Sequence, residues 1–228
     1  MLPFPLPSTT VAMLLADARL PSGGHAHSAG LEPALLAGGL AVAEVPAALL
    51  ARARTTSLVE AGTAVVARHL ALTAPESLPE VEAEWAARTP SPAQRDAARV
   101  LGRGLLRLAD RLWPASLPLA LIGRDGTHPP RALVLGAIAA EAGMEPLDLA
   151  RLAVYDDAAS AAAALLKLEP RDPAEVTGWV VETCAAVDDA LREAAALTDP
   201  AAIPAASAPQ AEDWAEAHAL LNRRLFRA

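Results

Sequence analysis

The 228-residue chain has a single cysteine, Cys184, so no disulfide can form within it. Aromatic residues make up only 3%, which leaves the core to Leu, Val and Ala. No segment approaches the roughly 18 consecutive apolar residues of a membrane span. The opening Met1-Leu2-Pro3-Phe4-Pro5-Leu6-Pro7 has no basic residue before Arg19 and lacks the apolar run of a secretory signal. Together these absences predict a soluble, cytoplasmic protein with no membrane partner. Neither a G-x-x-x-x-G-K-[ST] loop nor a G-x-G-x-x-G turn occurs, so any nucleotide in its biology must be held by a partner and no cofactor is expected. A formal charge of −8 argues against nucleic acid as a partner, because that needs a basic surface. Lysine is nearly missing as well: Lys167 stands alone among arginines.

What is present is helical periodicity. Leu58, Val65 and Leu72, with Ala61 and Val66, predict one helix over 46–72. Ser91, Pro92 and Gln94 read as a capping box opening a helix with Leu101, Leu105, Leu108 and Leu112 on its core side. An Ala-rich helix over 131–141 ends at Gly143, and 147–168 is apolar almost all round, as in a buried helix. Asp172-Pro173 opens a further helix carrying Val176, Val180, Cys184, Val187 and Leu191, and the last helix aligns Trp214, His218, Leu221 and Leu225. The only candidate for extended chain is 117–122, which Pro118 interrupts. The expected fold class is all-α: one helical domain over 1–228, with flexible tails at 1–10 and 223–228. An Ala/Pro-rich linker at 198–210 is expected to leave the last helix weakly tethered.

The most unusual segment runs from Asp17 through Arg19, Pro21, Gly23, Gly24, His25, His27, Ser28 and Gly30 to Glu32. A proline and two glycines make a sharp turn, with two imidazoles just beyond it. Neutral imidazoles ligate nickel or zinc, but a full site needs further ligands, and none stands nearby at a familiar spacing. The other reading has His25 and His27 hydrogen-bonded to the turn, fixing its shape. Ala26-His27-Ser28-Ala29-Gly30 is one residue short of a nucleophile elbow, which would make Ser28 the nucleophile of a hydrolase. That elbow requires a preceding strand, and a Pro-Gly-Gly turn precedes this serine. Two further features suit partner binding. Arg95, Arg99, Arg103, Arg107 and Arg111 recur every fourth residue, which keeps the guanidiniums adjacent on one helix face, either docking an acidic partner or simply solvated. Arg223, Arg224, Leu225, Phe226 and Arg227 combine apolar and Arg anchors, for an interface or for tucking back onto the body. Among Trp214 and Leu221, His218 is expected to be a satisfied core histidine.

Four stretches resemble the urease accessory protein UreF family, especially its actinobacterial members, over nearly the whole chain. They are the opening 15–32, Gly102-Arg103-Gly104-Leu105-Leu106-Arg107-Leu108-Ala109, Leu166-Lys167-Leu168-Glu169-Pro170, and Glu216-Ala217-His218 followed by Arg224-Leu225-Phe226-Arg227. The resemblance implies an all-α homodimer, not an enzyme, that binds UreD (UreH in some organisms). It also implies recruitment of the nickel-carrying GTPase UreG, so that nickel reaches apo-urease. On that basis the tail Arg223–Ala228 is expected to dock UreD/UreH, and Lys167 to serve the surface used for UreG or apo-urease.

Overall fold

The computed structural model describes residues 6–17, 19–20, 27–37, 39–124, 128–220 and 225–226. Among them every regular element is a helix. In chain order these are α1 (Ser8–Leu15), α2 (Leu31–Leu36), α3 (Val45–Arg54), α4 (Thr56–Thr73), α5 (Leu78–Ala87), α6 (Pro92–Leu112) and α7 (Leu117–Ile122). They continue with α8 (Arg131–Glu141), α9 (Pro146–Leu168), α10 (Pro173–Ala186), α11 (Asp188–Ala194) and α12 (Pro209–Ala219), joined by turns and short 3-10 segments. The many prolines have a plain use: α3, α5, α6, α7, α9, α10 and α12 each carry one in the first turn. There the missing N–H has no intrahelical partner to lose, and the fixed φ suits the helix.

The long helices α4, α8 and α9 form the centre. Every residue of α8 from Ala132 to Ala139 is buried, and α4 against α8 is the most extensive contact between elements. Small side chains allow it. A Cβ added at Gly136 would lie 2.4 Å from the Ala64 carbonyl oxygen and 2.6 Å from the Ala67 side chain. Around this centre α5, α6 and α7 cover one side of α8, while α3, α10 and α11 cover α9. Trp85, fully buried on α5, is the largest core side chain among the described residues.

Several sequence expectations are corrected. The helix expected over 46–72 breaks at Thr55 (φ −124°, ψ −97°), whose hydroxyl donates to the Ala51 carbonyl at 2.7 Å. Beyond the break Val59 is buried while Leu72 is exposed. Residues 117–122 are helix, not extended chain. The Ser116 hydroxyl accepts the Leu119 N–H at 3.3 Å, and Pro118 occupies the tolerant first turn. The Val176–Leu191 face is shared by α10 and α11, with a break at Val187. Residues 8–10 of the expected N-terminal tail already belong to α1, whose Val11 is in the core. The expected linker is packed: Ile203 is buried, and Arg88 donates to the carbonyls of Ile203 at 2.7 Å and Ala201 at 2.8 Å.

Candidate functional site

The opening motif ends in a turn that places Glu32. Ala29 (φ +53°) and Gly30 (φ +82°) are both left-handed, so the chain reverses sharply before α2. The Ser28 carbonyl accepts the Leu31 N–H at 3.0 Å. Glu32, in the first turn of α2, is 2% exposed and so is His218 of α12, whose Nε2 donates to Glu32 Oε2 at 2.9 Å. The Phe226 N–H donates to the same oxygen at 3.1 Å, and the Leu225 N–H donates to Oε1. Burial by itself pushes the Glu32 carboxyl up. The donors from Leu225, His218 and Phe226 outweigh it and hold the group below the usual carboxylate range. One buried carboxylate thus ties together the start of the chain, the last helix and the tail.

Two more contacts complete the arrangement. The Lys167 ammonium, at the end of α9, lies 5.2 Å from the centre of the Phe226 ring. On α12, two residues before His218, Glu216 Oε1 accepts the Ser91 hydroxyl at 2.5 Å and the Ala93 N–H at 3.0 Å. Ser91 itself accepts the Gln94 N–H at 3.1 Å. The expected capping box is therefore corrected: Ser91 caps α6, Glu216 of α12 accepts the Ser91 hydroxyl and the Ala93 N–H, and the buried Gln94 Nε2 has no hydrogen-bond partner among the described residues.

Beneath α12 lies a cavity of about 770 Å³ bounded by α1, the turn before α2, α6, α9 and α12. One wall is charged. Asp157 holds Arg52 in a bidentate pair at 2.7 and 2.8 Å and accepts the Ser57 hydroxyl at 2.6 Å. Arg131 pairs with Asp156 at 2.7 Å, and Trp85 Nε1 donates to Glu60 at 2.6 Å. Burial drives all three carboxyls upward. For Asp157 the Arg52 charge and hydrogen bonds reverse the shift, whereas Glu60 and Asp156 stay raised because their partners only partly offset burial. No group of three or more His, Cys, Asp or Glu side chains able to hold a metal exists among the described residues.

The UreF family model matches residues 33–184. A Mycobacterium marinum protein named urease accessory protein UreF is 40% identical over 224 residues, covering 96% of this chain and 99% of that protein. A protein of the same name from Mycobacterium sp. strain JLS is 39% identical over 221 residues, covering 95% and 97% respectively. The chain belongs to the UreF family. Its Mycobacterium tuberculosis relative of that name is 39% identical over 200 residues, covering 85% of this chain and 90% of that protein. Glu32 and the Glu216-Ala217-His218 step lie outside the family-model match, yet they hold the two ends of the chain together.

The structure sorts the residues singled out from sequence. Asp17 and Arg19 pair at the surface, with Arg19 Nη2 2.7 Å from Asp17 Oδ2, which holds the Asp17 carboxyl at about 2. Pro21, Gly23, Gly24 and His25 lie outside the described residues. His27 is buried at the cavity. Ser28 is fully buried and its hydroxyl has no hydrogen-bond partner among the described residues. No strand occurs among the described residues, and residues 21–26 just before this serine lie outside them, so nothing described supports the nucleophile-elbow reading. The arginine row divides: Arg95 donates to the Thr89 and Pro90 carbonyls, while Arg99 pairs with Glu82, donates to His128 and covers the Trp85 ring at 5.5 Å. Arg103 and Arg107 are exposed further along. Of the tail, Phe226 is 3% exposed and Leu225 63% exposed; Arg223, Arg224 and Arg227 lie outside the described residues. His218 is satisfied, as its apolar neighbours implied, but by a carboxylate that the sequence places 186 positions away. Glu216 stood out only as part of the closing stretch and the charged wall had no local signal, because their partners are distant in sequence.

Proposed function

We propose that this protein is a non-catalytic scaffold of urease maturation, acting in the cytoplasm as a homodimer. It binds UreD/UreH and recruits nickel-carrying UreG to apo-urease, nickel being cargo and not a resident cofactor. The similarity to proteins named urease accessory protein UreF over nearly the entire chain carries this reading. It is tested by co-expressing urease with its accessory proteins, with and without this chain. Urease activity and the co-purification of UreD/UreH and UreG should both depend on it. Unchanged activity without the chain overturns the proposal. In the same assay Ser28→Ala, which removes a hydroxyl with no hydrogen-bond partner among the described residues, should leave activation intact.

The docking element is the tail, in a form adjusted by its geometry. Phe226 is committed to the body and Leu225 is offered to solvent. Leu225→Asp should therefore weaken UreD/UreH binding by about thirtyfold, typical of losing an anchor worth ~2 kcal/mol, with little change in melting temperature. Deleting Arg223–Ala228 should lower both. Arg99, Arg103, Arg107 and Lys167 are proposed to serve UreG or apo-urease, with Arg103 and Arg107 the more available pair. Lys167→Ala should reduce activation; normal activation with this variant as the sole copy removes Lys167 from the interface. His25 and His27 are assigned to shaping the turn. Stoichiometric sub-micromolar nickel binding by calorimetry, lost in His25→Ala/His27→Ala, reverses that assignment.

A further inference from the structure

The charged wall of the cavity is out of balance. Arg52 and Arg131 meet Asp156, Asp157 and Glu60 there, two guanidiniums against three carboxyls. Asp157 takes Arg52 and Asp156 takes Arg131, so each guanidinium is already matched. Glu60 accepts the Trp85 indole N–H and has no guanidinium of its own among the described residues. Although four helices pack around these two ion pairs, their side chains stay between 16% and 25% exposed, and all four line the cavity. Burial raises the Glu60 and Asp156 carboxyls, which marks them as poorly compensated within the chain. An unmatched buried charge costs free energy until a counter-charge reaches it. The other cations on the lining are engaged elsewhere. Lys167 stands eleven residues beyond Asp156 on α9, about 16 Å along the axis, with its ammonium over the Phe226 ring. Arg103 is exposed and lies 3.4 Å from His128 Nε2.

Much of the remaining lining is alanine. Ala97 of α6, Ala153 and Ala163 of α9 and Ala215 of α12 are among the small side chains that leave about 770 Å³ open. A cavity of this size takes a small organic molecule, apolar along most of its surface and oriented by polar groups at one place. We propose that the cavity binds a small organic cation, a guanidinium on a short hydrocarbon stem, with its head at Glu60 and Asp156 and its stem along the alanines. A guanidinium suits the wall better than an ammonium, because it is less strongly hydrated and its planar fork can donate to two carboxyls at once. A hydrated metal ion would gain nothing from the alanine lining. The site rests on the geometry of this chain alone, so its failure would leave the partner assignment standing.

Calorimetry and thermal melting of the full-length protein with butylguanidinium test it, against butylurea, an uncharged molecule of nearly the same shape. At pH 8 butylguanidinium should bind at least about tenfold more tightly than butylurea and raise the melting temperature as its concentration rises. Glu60→Gln keeps an oxygen for the Trp85 indole and removes the unmatched charge, so it should fold at least as stably as wild type. It should nevertheless lose the preference for the cation by about tenfold. Ala163→Leu, at a part-exposed position on the lining away from the ion pairs, fills the cavity and should weaken both molecules alike. Equal binding of the two molecules, binding of neither, or a preference that survives Glu60→Gln overturns the proposal. Unchanged binding in Ala163→Leu places the cation elsewhere and overturns it too.

Discussion

Asp157, Asp156 and Glu60 share one wall of the cavity, yet burial leaves them in different electrical conditions. Asp157 has a bidentate guanidinium and a hydroxyl donor, so its charge is matched. Glu60 has one indole N–H and more distant arginines. Removing a partner from a matched buried pair leaves an uncompensated charge. Asp157→Asn should accordingly cost about 3 kcal/mol or more in urea unfolding. Glu60→Gln should do the reverse: the oxygen that accepts from Trp85 is kept while a poorly solvated charge is removed. Its folded-state carboxyl is raised, so ionising it costs stability as pH climbs above the usual carboxylate range of about 4. The variant should melt above wild type at pH 8, with the gain shrinking toward pH 4. A variant less stable than wild type at pH 8 would show that Glu60 functions as a charged partner of Arg131.

At the scale of elements, close helix approach and borrowed caps decide the arrangement. The α4–α8 contact depends on Gly136, whose absent side chain leaves room for the Ala64 carbonyl and for Ala67. Since backbone lies in the way, Gly136→Ala cannot be absorbed by a rotamer change, and it should destabilise by about 1–3 kcal/mol, measured as a fall in the urea midpoint. Helix α6 depends on a neighbour instead. Its Ser91 cap is completed by Glu216 of α12, and that carboxyl is held below its usual range, first by the Ser91 hydroxyl and then by the Ala93 N–H. Ser91→Ala should cost about 1 kcal/mol as an ordinary lost N-cap. It should also loosen α12, which a cap acting only within α6 would leave unchanged; hydrogen exchange separates the two.

For the whole molecule, pH response follows from the balance of these groups. Glu32, Asp157 and Glu216 have lowered folded-state carboxyls. Their stabilisation is complete above the unfolded range of about 4 and is lost as pH falls through the lowered values. Glu60 and Asp156 are raised and act oppositely just above that range. Melting temperature should therefore change gently between pH 8 and about 4 and drop steeply below it, and Glu32→Gln should make the acid limb shallower. A steep loss already at pH 6 contradicts this balance. Much of the architecture was legible in local pattern. The bounds of α8, the start of α10 behind Asp172 and the Ser91 cap came from helix periodicity and capping chemistry, which act within a few residues. The packed segment 198–210 was not legible, because Arg88 holds it from more than a hundred positions away. The break at Thr55 and the helical state of 117–122 rest on local contacts, the Thr55 hydroxyl on Ala51 and the Ser116 cap, that apolar periodicity alone does not register. The sequence by itself determined an all-helical, acidic chain of the UreF family, since periodicity, composition and motif are properties of the chain. Only the tertiary structure decided what the family-like ends do: a carboxylate at Glu32 becomes a fastening when folding removes it from water and brings His218, Leu225 and Phe226 to meet it.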